Sequence, residues 1–182
     1  MASLLFEHGA WVEDRAAIEA ALAPLELALD HDVEPLPSQI EGLVEKPVPS
    51  PEETEQLLAV LDERLRRSNL IDPLISRDLL NLNAAVASTD AHLHRFSGFH
   101  THAHDEGRYI VAGACLFGFA LPSGDQVRLT LHPRDLLRIP AGTEHWFQLT
   151  PLRTLKAVRL FSHVDDWVTT PSSRTIAPSL AV

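Results

Sequence analysis

Apolar positions change their period along this chain, and the change divides it. In residues 1 to about 50 the pattern is mixed and short. Phe6 and Trp11 lie near an expected first strand, and EDRAAIEAALAPL reads as a short helix with Ile18 and Leu22 four apart on one face. LELALDHDVEPL reads as a strand ending near Pro35 and Pro37, and EKPVPSPEE as a connector. A capping box follows. Ser50 stands at the N-cap, Pro51 at the first helical position and Glu53 at the third, and Leu57, Leu58, Leu61 and Leu65 then recur at helical spacing. That helix is expected to end near Ser68 and Asn69, with an ordered connector or strand over residues 78–86. From about residue 94 the period shortens to two. Strands are predicted near 95–102, 107–112, 114–121, 126–131, 135–139, 145–149 and 154–161, separated by turn signals such as Ser123-Gly124-Asp125 and Ala141-Gly142-Thr143. Short strands at this spacing predict an antiparallel barrel or jelly roll.

Composition narrows the setting. The chain has 182 residues, enough for one domain with its own core. The 15 Lys and Arg against 25 Asp and Glu give −10, which disfavours phosphate backbones and anionic lipid, so neither nucleic acid nor membrane is expected as a partner. No apolar run approaches the ~20 residues that span a bilayer. The opening MASLLFEHGAWVEDR lacks the features of a signal peptide, and Cys115 is the one cysteine, so a cytoplasmic setting is expected.

The chemistry concentrates in two segments. Five of the ten histidines, His92, His94, His100, His102 and His104, fall within thirteen residues. In FHTHAHDEGRYIVAG, His100 and His102 are two apart and share a strand face. After a bend at His104 and Asp105, Glu106 and Arg108 share a face of the next strand. This can put two imidazoles, a carboxylate and a guanidinium around a common point, and imidazole plus carboxylate is a donor set suited to Fe, Ni, Mn or Zn. In IPAGTEHWFQL, a turn at Pro140 and Gly142 delivers His145 as a fourth ligand, with Phe147 on its face. Four protein ligands leave two positions of an octahedron for substrate or dioxygen. His104 is expected on the bend, and His92, His94, His132 and His163 in solvent.

These two segments resemble the two characteristic cupin motifs, although His94, Arg134 and Leu149 stand where the motifs usually carry Gly, Gly and Asn. A closer resemblance is to the acireductone dioxygenase family. HTHAHDEGRYIVAGACLFGF is similar to that family's first motif and the strand pair after it, DLLRIPAGTEHWF to its second, and LKAVRLFSHVDDWV to its closing strand. Gly107 replaces the valine common between the glutamate and arginine. The resemblance implies a mainly β, cupin-type double-stranded β-helix (a jelly-roll barrel) with N-terminal helices. It implies a single domain over 1–182, divided into an N-terminal elaboration (1–92), a metal-binding barrel core (93–168) and a tail (169–182). It further implies one divalent metal, Fe(II) or Ni(II), on His100, His102, Glu106 and His145. Arg108 would be the catalytic cation beside the bound enediolate, and Phe96, Tyr109, Phe147, Arg159 and Trp167 would bind substrate. The implied activity is O2-dependent cleavage of an acireductone (1,2-dihydroxy-3-keto-5-methylthiopentene) in methionine salvage, by a monomer or weak homo-oligomer. Two other readings stay open: a cupin dioxygenase or isomerase acting on a different small oxygenated substrate, and a non-enzymatic cupin that binds a small molecule through its metal.

Overall fold

The computed structural model describes residues 1–68, 70, 76–162 and 168–181. Two antiparallel sheets face each other. The larger has the strand order β12-β5-β10-β7-β8-β1-β2, built from β1 (Ser3–Phe6), β2 (Trp11–Val12), β5 (His100–His102), β7 (Cys115–Ala120), β8 (Gln126–Leu131), β10 (His145–Leu149) and β12 (Thr169–Pro171). The smaller has the order β3-β9-β6-β11-β4, built from β3 (Ala28–His31), β4 (Ser76–Leu82), β6 (Glu106–Gly113), β9 (Asp135–Ile139) and β11 (Leu155–Phe161). This is the expected mainly β jelly roll.

Side-chain parity assigns each residue to one of three apolar layers. Cys115, Phe117 and Phe119 of β7, Phe147 and Leu149 of β10, Ile110 of β6 and Ala157 of β11 point between the sheets and form the barrel core. Their neighbours point outward. Tyr109 and Val111 of β6, with Val158 and Leu160 of β11, pack under helices α2 (Ser38–Glu45) and α3 (Pro51–Arg66). On the other flank Leu116, Ala120 and Trp146 pack with Phe99 and Leu180. Here Gly118 is required by space: a Cβ at that position would fall 1.8 Å from Cε2 of the fully buried Trp146.

The predicted helices form where the local chemistry is strongest. Helix α1 (Arg15–Leu22) is capped by Asp14, which accepts from the Ala17 N–H at 2.9 Å, and buries Ile18 and Leu22. Helix α3 has the full capping box: the Glu53 N–H donates to Ser50 Oγ (3.2 Å) and the Ser50 N–H to Glu53 Oε2 (2.7 Å). Its four leucines are all buried. It ends at Arg66; Asn69 lies outside the described residues.

Three sequence expectations need correction. The strand predicted over 95–102 begins only at His100, because Thr89–Phe96 forms a fourth helix, α4, followed by a turn at Ser97 and Gly98. Helix α2 was not foreseen; its Ile40 is fully buried against the leucines of α3. The segment 169–182 was expected as a tail, but within its described residues 169–181 β12 pairs with β5 (Thr169 opposite His102, Pro171 opposite His100) and Leu180 is fully buried.

Candidate metal centre

Strand pairing brings the two histidine segments together. His145 of β10 lies opposite His100 of β5, and β10 is held on its other edge by β7. The bend between β5 and β6 is tied to the turn before β10. Asp105 Oδ1 accepts from the Ala141 N–H at 2.9 Å, Asp105 Oδ2 from Arg138 Nε at 2.9 Å, and the Gly142 N–H donates to the His102 carbonyl at 2.9 Å. His104 is exposed on that bend, as its place in the sequence implied.

His100, His102 and His145 each offer one ring nitrogen, and these atoms lie within 4.8 Å of one another in a buried cluster. Glu106 joins them, with Oε2 3.3 Å from His102 Nε2 and 3.6 Å from His145 Nε2. The Nδ1 atoms of His100 and His145 hydrogen-bond to the carbonyls of Gly98 and Thr143, both at 2.8 Å. These backbone bonds fix the tautomer and leave Nε2 for the cavity, the usual arrangement behind a metal-binding imidazole. Three imidazoles and one carboxylate on one point are a donor set that fits a borderline divalent metal.

The charges fit this reading. Burial pushes the Glu106 carboxyl up, but Arg108 beside it, then His145 and His102, hold it below the usual carboxylate range. Arg108 is 6% exposed and its Nη2 donates to Glu106 Oε1. Its Nε and Nη1 are buried with no hydrogen-bond partner among the described residues. Burial, and after it His145, lowers His100 to about 4, so its ring stays neutral and available at neutral pH.

A small cavity adjoins these groups. His92, Phe96, His100, His102, Glu106, His145, Arg108, Phe117, Phe147, Arg159 and Phe161 line it. Phe96, Phe147 and Arg159, expected to bind substrate, are among the residues that line it. Arg159 is oriented by two bonds to Asp78 of β4, at 2.8 and 2.6 Å. Tyr109 is not in the cavity. It follows Arg108 by one residue, so the pleat turns it outward under the helices, where its hydroxyl donates to Asp32 Oδ2 at 3.1 Å. Trp167 and His163 lie outside the described residues. His94 is exposed as expected and His132 is half-buried, but His92 is a cavity wall rather than a solvated ring. The signal for it was present in the sequence, since His92 and Phe96 are four apart and share a face once residues 89–96 are read as a helix.

Comparisons with known proteins agree with this geometry. A family model described as "ARD/ARD' family" matches residues 37–169. An acireductone dioxygenase of Trichodesmium erythraeum (strain IMS101) is 41% identical over 169 residues, covering 92% of both chains. One from Microcystis aeruginosa is 36% identical over 171 residues, covering 92% of this chain and 91% of the relative. Among solved structures, an acireductone dioxygenase from Bacillus anthracis with a cadmium ion in its active centre superposes with a TM-score of 0.83 at 24% identity. It covers 93% of this chain and 98% of that one, and shows the fold to be shared.

Proposed function

This chain belongs to the ARD/ARD' family, and on that premise we propose that it is a metal-dependent dioxygenase. Its substrate would be an acireductone, 1,2-dihydroxy-3-keto-5-methylthiopentene, cleaved with O2 in methionine salvage. His100, His102, Glu106 and His145 would hold one divalent metal, Fe(II) or Ni(II). When bound, the metal would supply Lewis acidity and a template for the enediol oxygens.

The chain's own groups supply the rest. Arg108 pairs with the anionic enediolate through the guanidinium N–H groups that have no partner among the described residues. Arg159 adds a second cation on the neighbouring strand, directly opposite Arg108 in register. Phe96, Phe147 and Phe117 exclude water, so that each charge pair acts in a medium of low dielectric. The proposal extends to the setting, a cytoplasmic monomer or weak homo-oligomer acting as one domain. No helix among the described residues is long and apolar enough to cross a membrane.

The observation that carries this reading is the buried Arg108 guanidinium, whose Nε and Nη1 have no hydrogen-bond partner among the described residues and which shares one cavity with three imidazoles and a carboxylate. That pairs an anion-binding group with a metal-donor set. The test is oxygen-dependent loss of the enediol by protein stripped of metal and reloaded with Fe(II) or with Ni(II). Loss only with the loaded protein supports the proposal. No loss with a filled site, confirmed by metal analysis, overturns it in favour of a different small substrate or a binding role.

A further inference from the structure

One imidazole in the cavity wall lies outside the proposed metal-donor set. His92 sits on α4 with its ring centroid 4.5 Å from Phe96 and 6.0 Å, edge-on, from Phe147. Its ring makes these aromatic contacts and no hydrogen bond among the described residues. The other described lining residues can be sorted by what they offer a substrate proton. His100, His102, Glu106 and His145 are committed to the metal, Arg108 and Arg159 are already protonated, and the phenylalanines accept nothing.

Resting on the acireductone reading, we propose that His92 is the base that takes a proton from the enediol as substrate enters the cavity. The enediol O–H bond breaks, its electron pair stays on the oxygen, and the proton passes to a ring nitrogen of His92 to give an imidazolium. The proton returns to solvent when products leave.

The charges around His92 set its basicity in the empty cavity and would change when an anion binds. Arg159 on β11, Arg108 and Glu106 on β6, and Arg95 on α4 itself all act on the ring. Burial comes first, then the repulsion of Arg159 and Arg108, and together they keep the imidazole neutral down to about 3. An anionic substrate seated against the two guanidiniums cancels that repulsion. The ring thus gains basicity when the proton has to leave the substrate.

Two variants separate this role from packing. His92→Gln keeps a polar side chain that cannot act as a base, and His92→Leu keeps the apolar contact with Phe96 and Phe147. Metal-loaded protein is mixed anaerobically with the enediol, whose ultraviolet band moves to longer wavelength as it loses protons. Both variants are expected to keep their metal and bind the enediol in its more protonated form. Their turnover in air should fall about 100-fold, the usual contribution of a positioned base. Added imidazole should restore part of the loss in His92→Leu. A wild-type band shift together with turnover within about threefold of wild type in both variants would overturn the role of His92 while leaving the acireductone reading intact. A wild-type protein that neither shifts the band nor consumes the enediol overturns both.

Discussion

Arg108→Met removes the cavity's central cation and keeps most of its volume, and the structure fixes what should follow. The guanidinium is 6% exposed, donates to Glu106, and lies 5.8 and 5.9 Å from the ring centroids of Phe117 and Phe147. Its N–H groups without a partner among the described residues are the ones available to charge that builds up on the substrate. Losing one such buried donor costs about 100- to 1,000-fold in kcat, or about 3–4 kcal/mol. A second, separable effect falls on stability. Glu106 is 3% exposed, and without Arg108 its carboxylate is a buried charge that has lost its cation. Breaking such a pair costs about 3–5 kcal/mol in the metal-free protein. A bound divalent metal supplies the missing positive charge and stabilises by mass action, so the metal-loaded variant should lose much less. Urea unfolding with and without metal measures the second effect, and turnover at saturating enediol with measured metal content measures the first. Turnover within about threefold of wild type would refute the anion-pairing role, set against the loss expected for a buried donor. An equal stability loss in both metal states would refute the account of Glu106.

Three further outcomes are expected. His102→Ala should lose metal and turnover together, since its ring is one of three whose nitrogens converge; turnover retained without that ring would sink the metal assignment. Gly118→Ala should destabilise by about 3 kcal/mol through overpacking against Trp146, read as a shift of the urea midpoint, and a change below about 0.5 kcal/mol would contradict the close approach. Metal-free protein should weaken as pH falls. His92 and His100 titrate at about 3 and about 4 in the folded state against 6.5 unfolded, and Glu106 is also held below its ordinary value. All three are depressed, so the unfolded chain takes up protons that the folded chain refuses. Stability is then full above about pH 7 and declines first from the histidines and then, below about pH 5, from Glu106. A urea midpoint flat from pH 7 to about pH 4 would contradict this.

How far the sequence could be read depended on how much each signal relied on tertiary contact. The clustering of the four proposed metal donors was legible because strand parity is a local rule: His100 and His102 are two apart, and Glu106 and Arg108 are two apart, so only the pairing of β5 with β10 had to be supplied. The same rule places Tyr109 outside the cavity, one residue from Arg108, where the family resemblance had implied a substrate contact. Helix α3 announced itself through its capping box and four leucines. Helix α4 did not, because Leu93 and Phe96 are the only large apolar residues in its eight and Ser88 makes no side-chain cap bond. Its register is instead settled by packing, with Phe96 entering the barrel core. Helix α2 carried a readable pattern in Ile40, Leu43 and Val44, but a helix this short gains its stability from docking on α3 rather than from propensity. One departure from the cupin motif shows how the fold tolerates a substitution. Arg134 stands where glycine is usual and has φ +75°, in the left-handed region that favours glycine, at a cost of about 1–2 kcal/mol. Its own guanidinium offsets part of that cost by donating to the carbonyls of Val33 and Glu34 (3.1 and 3.4 Å), which lie in the link from β3 to α2. The turn before β9 is thereby tied to the N-terminal elaboration. The residue that weakens the motif in sequence joins the divergent half of the chain to the strand that pairs with Glu106 and Arg108.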